Sequence, residues 1–192
     1  MFYIWHSENH GLSFRLSLEA AGLEVRQCLI WEKNSFTLGR QDYQWRHEPV
    51  LYGWKDGAGH YFIDDRSQDT VLDVDKLDLS AKSKKELIGI IEAMRKSPPV
   101  QTTVIHEDKP LHNDLHPTMK PIRLLARLIA NSSRRGDVVL DQFGGSGSTL
   151  IACEETGRRC RMMELDPAYV DVIVDRYQKF TGRKAIKQGG DI

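Results

Sequence analysis

Cysteine is scarce in this chain: Cys28, Cys153 and Cys160 are the three in 192 residues. None forms a CxxC pair, and the gap between the last two is not a zinc spacing, so neither a disulfide scaffold nor a metal site is encoded. The three read as reduced thiols of a cytosolic protein. A charge excess is absent as well. Lys plus Arg and Asp plus Glu each number 27, which excludes a polybasic, histone-like binder while allowing a local basic face. No leader segment is recognisable, and no apolar run has the length a membrane span needs. Two phosphate-cradling patterns, GxGxxG and GxxxxGK[ST], are also missing. What is present is ordinary: 40% hydrophobic and 28% charged residues, enough for one domain, or one domain with an insertion, to bury a core unaided.

Three regions differ in character. Residues 1–63 are aromatic-rich and strand-like. Phe2–Trp5, Val25–Lys33, Pro49–Trp54 and His60–Ile63 read as strands, and Ser13–Ala21 as a helix stopped by Gly22. Residues 64–112 are polar and charged and read as an insertion or a recognition element. Within them Ser83-Lys84-Lys85-Glu86 is a capping box for a helix that aligns Leu87, Ile90, Ile91 and Met94, and Pro98-Pro99 ends it. Thr102–His106 is a further strand candidate. The Lys82, Lys84 and Lys85 run is either a solvated face or a contact to a nucleic-acid backbone.

Residues 113–192 alternate. Pro121 opens a helix with Ile122, Leu125, Leu128 and Ile129 at helical spacing. Val138–Leu140 is a strand closed by Asp141, Ser148–Thr156 a helix ended by Gly157, and Cys160–Leu165 a second strand. Asp166 and Pro167 then cap a helix on which Tyr169, Val172, Ile173, Tyr177 and Phe180 share a face, with Gly182 past its end. Strand–helix–strand–helix predicts a parallel sheet in a doubly wound α/β fold.

The chemistry-bearing segment is Asp141-Gln142-Phe143-Gly144-Gly145-Ser146-Gly147, between a strand and a helix. Glycines there allow positive φ and close approach of backbone to a ligand, and the helix start offers unpaired N–H groups. Glu164 ends the next strand 23 residues after Asp141. An acid at that place can accept both hydroxyls of a ribose. Hydrogen bonds to a charged group are worth roughly 1.5–3 kcal/mol each. A bland tight turn is the alternative. The pair of features favours a nucleoside site, and the missing phosphate patterns favour a nucleoside without phosphate.

A family resemblance covers these segments. Asn113-Asp114-Leu115-His116-Pro117-Thr118-Met119-Lys120-Pro121, then Gly136 to Gly147, then Met163-Glu164-Leu165-Asp166-Pro167-Ala168-Tyr169 resemble the amino-group (N-4 cytosine/N-6 adenine) DNA methyltransferases. They are closest to the β-type arrangement, in which the cofactor half follows the catalytic half. The resemblance implies a Rossmann-like, S-adenosylmethionine-dependent methyltransferase fold with S-adenosylmethionine as cofactor. It divides the chain into a partial catalytic or target-base half (1–63), an insertion or target-recognition element (64–112) and an S-adenosylmethionine-binding half (113–192). It implies that Asp141, Phe143, Gly144, Gly145, Ser146 and Gly147 line the cofactor and that Glu164 holds its ribose. His116, Thr118 and Lys120 match the segment closing over the methionine end. Gln142 departs from the family, which usually has Pro there. The loss of that stiffening weakens cofactor binding rather than abolishing it. Trp31-Glu32-Lys33-Asn34 and the stretch from Gly39 to Pro49 resemble the target-base segment. Trp31, Lys33, Arg40, Trp45 and Arg46 are thereby candidates for stacking and phosphate contact, against the alternative of core aromatics and a solvated loop.

One family element has no match. These enzymes methylate a nitrogen whose lone pair is conjugated with the ring, and they use an Asp/Asn/Ser-Pro-Pro-aromatic motif on a base flipped out of the duplex. Ser97-Pro98-Pro99-Val100 is the nearest approach. It has Val for the aromatic and follows a charged helix, so it reads as a helix terminator, and no catalytic residue is assigned. In β-type relatives the motif precedes the strand that Phe2–Trp5 resembles. The expectation is therefore an incomplete sheet lacking upstream strands: a split gene product, a prophage remnant or a truncated piece of a cytoplasmic bacterial or phage enzyme of restriction–modification. Its partners would be double-stranded DNA and either the missing N-terminal half or a second copy, with no membrane. The rival readings are a dead remnant that binds cofactor or DNA without turnover, and a small-molecule or RNA methyltransferase with a similar site.

Overall fold

The structure, a computed structural model, describes residues 1–65, 68, 70–72 and 119–188. The helix expected after Ser83, the Lys82/Lys84/Lys85 run, Ser97–Val100 and the Thr102–His106 strand lie outside the described residues. The chain divides into two compact units: Met1–His60 with Asp64–Asp108, and Tyr61–Ile63 with Lys109–Ile192. Among the described residues no helix is long and apolar enough to cross a membrane.

The first unit is a four-stranded sheet. Strand β1 (Phe2–Trp5) leads through a 3-10 turn into helix α1 (Gly11–Ala20), then β2 (Leu23–Thr37), β3 (Trp45–Lys55) and the short β4 (Val71–Leu72). The order is β1-β3-β2-β4, with β3 antiparallel to both neighbours and β4 parallel to β2. Both long strands run beyond the expected Val25–Lys33 and Pro49–Trp54, because pairing extends from Leu23↔Lys55 to Thr37↔Trp45, with breaks at Val25/Gln27 and Glu32/Thr37. Directly opposed residues share a face. The register therefore sets Tyr3 beside Tyr52, and Trp5 and Leu29 beside Val50. Tyr3 and Tyr52 stack at 4.8 Å, and Trp5 meets Trp31 edge-on at 5.8 Å, pairs worth about 0.5–1.5 kcal/mol each beyond their burial. Trp31, Val50, Leu51 and Tyr52 are buried. Gly53 lies opposite both Phe2 and Val25 in the central strand. A Cβ on it would come 2.0 Å from the Glu24 carbonyl oxygen and 2.8 Å from the Phe2 ring.

His60–Ile63 is not a strand. Its aromatic and β-branched composition imitates one, but its bonds go elsewhere. His60 stacks on Trp54 at 3.7 Å in the first unit. In the second unit, the Ile63 N–H donates to the Asn131 carbonyl at 2.9 Å, and the Arg134 guanidinium lies 4.7 Å from the Tyr61 ring.

The second unit carries helix α2 (Ile122–Ser132), strand β5 (Val138–Asp141), helix α3 (Ser148–Thr156), strand β6 (Arg159–Met162) and helix α4 (Pro167–Thr181). β5 and β6 pair in parallel, Val138↔Arg159 to Asp141↔Met162, and α3 is the crossover a parallel pair requires. On α2 the buried apolar residues are Leu124 and Leu128. Ile122, Leu125 and Ile129 are only half-buried, so the face read from spacing is rotated by part of a turn. β6 stops at Met162 rather than Leu165. Beyond it the Met163 N–H donates to the Asp141 carbonyl (2.9 Å), while the Met163 carbonyl accepts from Gly144 (2.8 Å). α3 ends on left-handed Gly157 and α4 on left-handed Gly182. At the start of α4 the Asp166 carboxylate accepts from the Ala168 N–H at 2.9 Å, with Pro167 in the first turn. Ile173 is the one buried residue of α4, and Phe180 is exposed.

Two stability changes follow. Gly53→Ala forces a side chain into backbone, so urea unfolding is expected to show a loss of about 1–3 kcal/mol; an unchanged midpoint contradicts the three-strand crowding. Asp166→Ala removes the cap of α4 and is expected to lower stability by about 1 kcal/mol; a thermal midpoint equal to that of the unsubstituted chain contradicts the capping role.

Candidate functional site

The turn after β5 is held through its backbone groups, some bonded to other backbone and some to side chains. Phe143 donates to the Asp141 carboxylate at 3.0 Å, an Asx turn that supplies part of the stiffness a proline at position 142 would give. Gly144 donates to Met163, and Gly147 donates to the Gly144 carbonyl, both at 2.8 Å. Gly145 (φ 52°) and Gly147 (φ 79°) are left-handed. A Cβ on Gly144 would fall 2.8 Å from the Met162 side chain and 3.0 Å from Ile173. The turn thus rests directly on the Met162 side chain of β6 and the Ile173 side chain of α4. Ser146 and Ser148 are buried, with their hydroxyls 3.3 Å apart. The Ser146 carbonyl accepts from the Arg176 guanidinium of α4.

Glu164 closes the site. One carboxylate oxygen accepts from the Gly145 N–H at 2.6 Å, and the other accepts from the Asp166 N–H at 3.0 Å. These two backbone bonds orient the carboxylate. Burial pushes the Arg176 pKa down, although a guanidinium remains charged at any working pH. Further along the same elements, Cys153 of α3 and Cys160 of β6 are free thiols, the first buried and the second half-buried. Interaction with Cys153 and burial push the Cys160 thiol up, and interaction with Cys160 lowers Cys153. Among the described residues no group of three or more His, Cys, Asp or Glu is placed to hold a metal ion.

The residues singled out from the sequence fall in different places. His116 and Thr118 lie outside the described residues, and Lys120 is half-buried just ahead of α2. Asp141, Gly145 and Glu164 are half-buried, and Gly144, Ser146 and Gly147 are buried together in the turn. Phe143 is 86% exposed, so its ring turns away from the packed side of the turn. In the first unit, Trp31 is 1% and Lys33 8% exposed. Trp31 belongs to the aromatic core, and Lys33 sits 3.5 Å from Glu48. Arg40, Trp45 and Arg46 are exposed at the β2–β3 hairpin. Arg46 donates to the Lys33 carbonyl and pairs with Glu32, each at 3.1 Å. Two residues escaped the sequence reading. Tyr43, 91% exposed at the hairpin tip, lay inside the quoted Gly39–Pro49 stretch and could have been flagged by its aromatic type. Arg176 carried no local signal, since its partner is 30 residues away.

Comparison with known proteins identifies the family and the fold. The model of the N6/N4 DNA methylase family matches residues 2–175. Type II methyltransferase M2.MboI of Moraxella bovis is 38% identical over 66 residues, covering 34% of this chain and 24% of that protein. DNA adenine methyltransferase YhdJ of Escherichia coli (strain K12) is 28% identical over 160 residues, covering 76% of this chain and 50% of that protein. The chain therefore spans half or less of the length of these relatives. A crystal structure of M1.HpyAVI in complex with SAM superposes with a TM-score of 0.64 at 22% identity, covering 91% of this chain and 72% of that one. That likeness carries the fold, the Rossmann-like α/β arrangement of S-adenosylmethionine-dependent methyltransferases. S-adenosylmethionine is the methyl donor of the family. With the match running from residue 2 to residue 175, the chain belongs to the DNA methylases that act on the amino groups of adenine or cytosine.

Proposed function

We propose that this chain is the cofactor-binding part of a DNA methyltransferase that modifies an exocyclic amino group, adenine in preference to cytosine. The observation that carries the reading is the pair of bonds by which Glu164 accepts from Gly145 and Asp166. They hold a carboxylate at the mouth of a glycine turn, at the carboxyl ends of two parallel strands, where α/β sheets bind ligands. Bare backbone at Gly144 and Gly147 lets one side of the turn pack closely on Met162 and Ile173; the nucleoside is proposed to lie against its other side. Glu164 would accept the ribose hydroxyls, and Gly144, Gly145, Ser146 and Gly147 would form the floor, with Asp141 bracing the turn through Phe143. His116, Thr118 and Lys120 are assigned the methionine end by family resemblance. When bound, S-adenosylmethionine supplies an electrophilic methyl on its sulfonium.

On the DNA side, Arg40, Trp45 and Arg46 with Tyr43 form the exposed hairpin proposed to meet double-stranded DNA, cations for phosphate and aromatics for stacking. Trp31 and Lys33 would serve from beneath, as its packed support. The methyl-accepting nitrogen needs oxygens that draw on its hydrogens, and the sequence holds no Asp/Asn/Ser-Pro-Pro-aromatic motif. These residues alone are therefore proposed to bind cofactor without turnover, in a cytoplasmic restriction–modification setting. The rival, a remnant without any catalytic partner, is separated by supplying in trans a polypeptide that carries a Pro-Pro-aromatic motif.

Calorimetric titration with S-adenosylmethionine is expected to give saturable binding, and Glu164→Ala to weaken it about 10- to 100-fold, as loss of charged hydrogen bonds dictates. Equal affinity in the variant removes Glu164 from the site. Transfer of labelled methyl to duplex DNA by the 192-residue chain alone is expected to stay at background; turnover above background overturns the assignment of a cofactor-binding part only.

A further inference from the structure

We infer that Arg176 is a positioning residue for the cofactor turn, acting through the Ser146 carbonyl. The inference deepens the proposed reading of the site and rests on it. Gly145 and Gly147 are both left-handed, and glycine's freedom makes the peptide planes beside them easy to rotate. A useful turn needs those planes anchored. The plane between Gly144 and Gly145 is anchored by its N–H, which donates to Glu164, and by its carbonyl, which accepts from Gly147. The plane between Ser146 and Gly147 is anchored at both ends: its N–H donates to the Gly144 carbonyl, and its carbonyl accepts from Arg176. Glu164 and Arg176 thus grip the turn from two sides and fix the Gly145–Ser146 plane between them.

The grip from Arg176 is a charge-assisted bond from a half-buried guanidinium, stronger than a neutral one. It comes from α4, the helix whose Ile173 also touches the Cβ positions of Gly144 and Gly147. Ile173 therefore sets how closely α4 approaches the turn, and Arg176 sets the orientation of the peptide it meets. Without the guanidinium the turn keeps its packing but samples other peptide orientations. Apparent affinity falls in proportion to the fraction of molecules with the competent turn. The role is indirect: Arg176 acts on the backbone that meets the cofactor.

The test is calorimetric titration of S-adenosylmethionine into the unsubstituted chain, Arg176→Met, Arg176→Lys and Tyr177→Phe, with thermal unfolding of each. Arg176→Met is expected to raise Kd about tenfold, as a competent fraction near one tenth implies. Arg176→Lys, a charged donor without the planar fork, is expected to fall between the two. Tyr177→Phe loses a bond to Glu154 from the same helix and is expected to shift the unfolding midpoint while leaving Kd within about twofold of the unsubstituted value. A merely structural role for Arg176 would make affinity follow the unfolding midpoint across all variants, which overturns the inference. So does an Arg176→Met Kd within about twofold of the unsubstituted chain. If Arg176→Met does not fold, Arg176→Gln is read by the same criteria. Absence of binding by the unsubstituted chain is the separate failure: it removes the cofactor site, and the positioning role with it.

Discussion

A single carboxylate joins two segments that the chain separates. Glu164 takes the Gly145 N–H on one oxygen and the Asp166 N–H on the other, tying the turn after β5 to the entry of α4. Each bond has a charged acceptor, and such bonds are the strong ones. The arrangement also decides where β6 ends. The chain leaves the ladder after Met162 so that Met163 can bond to Asp141 and Gly144, and this swings Glu164 to the turn. Asp166 then caps α4 two residues on. Strand end, turn-holding acid and helix start follow one another closely because one short run of backbone serves all three.

Missing side chains do comparable work once in each unit. At Gly144 and Gly147 the backbone lies against Met162 and Ile173, and at Gly53 it lies against Glu24 and Phe2. The consequences differ. In the four-stranded sheet the close approach lets β1 and β2 pair with β3 on its two sides at Gly53. In the turn it presents peptide groups, and it makes the docking of α4 and the shape of the turn one mechanical problem, because Ile173 is the buried contact of that helix.

The front sheet divides its aromatics by depth. Tyr3 packs with Tyr52 and Trp5 with Trp31, while Tyr43 and Trp45 stand out at the hairpin with Arg40. Residue type does not distinguish the two sets. Lys33 illustrates the point: it lies two residues from Trp31 in the same strand, and it is buried beside Glu48 rather than offered to solvent.

What could be read from the sequence alone is what local chemistry punctuates. α3 runs from Ser148 to Thr156 as expected, and α4 begins at Pro167 and stops before Gly182, because a cap, a proline and a left-handed glycine act within a few residues of themselves. The glycine turn and the later acid were legible as a pair for the same reason, each marking a strand end. Pairing and burial were not legible in this way. His60–Ile63 has strand composition, but its Ile63 N–H reaches a helix carbonyl; α2 buries Leu124 rather than Ile122; Trp31 lies inside rather than on a face. Arg176 meets Ser146 only because α4 folds back over the turn. Hydrogen-bond partners and solvent exclusion depend on which distant segments come together, and a one-dimensional pattern carries the propensity of each segment without naming the neighbour it will meet.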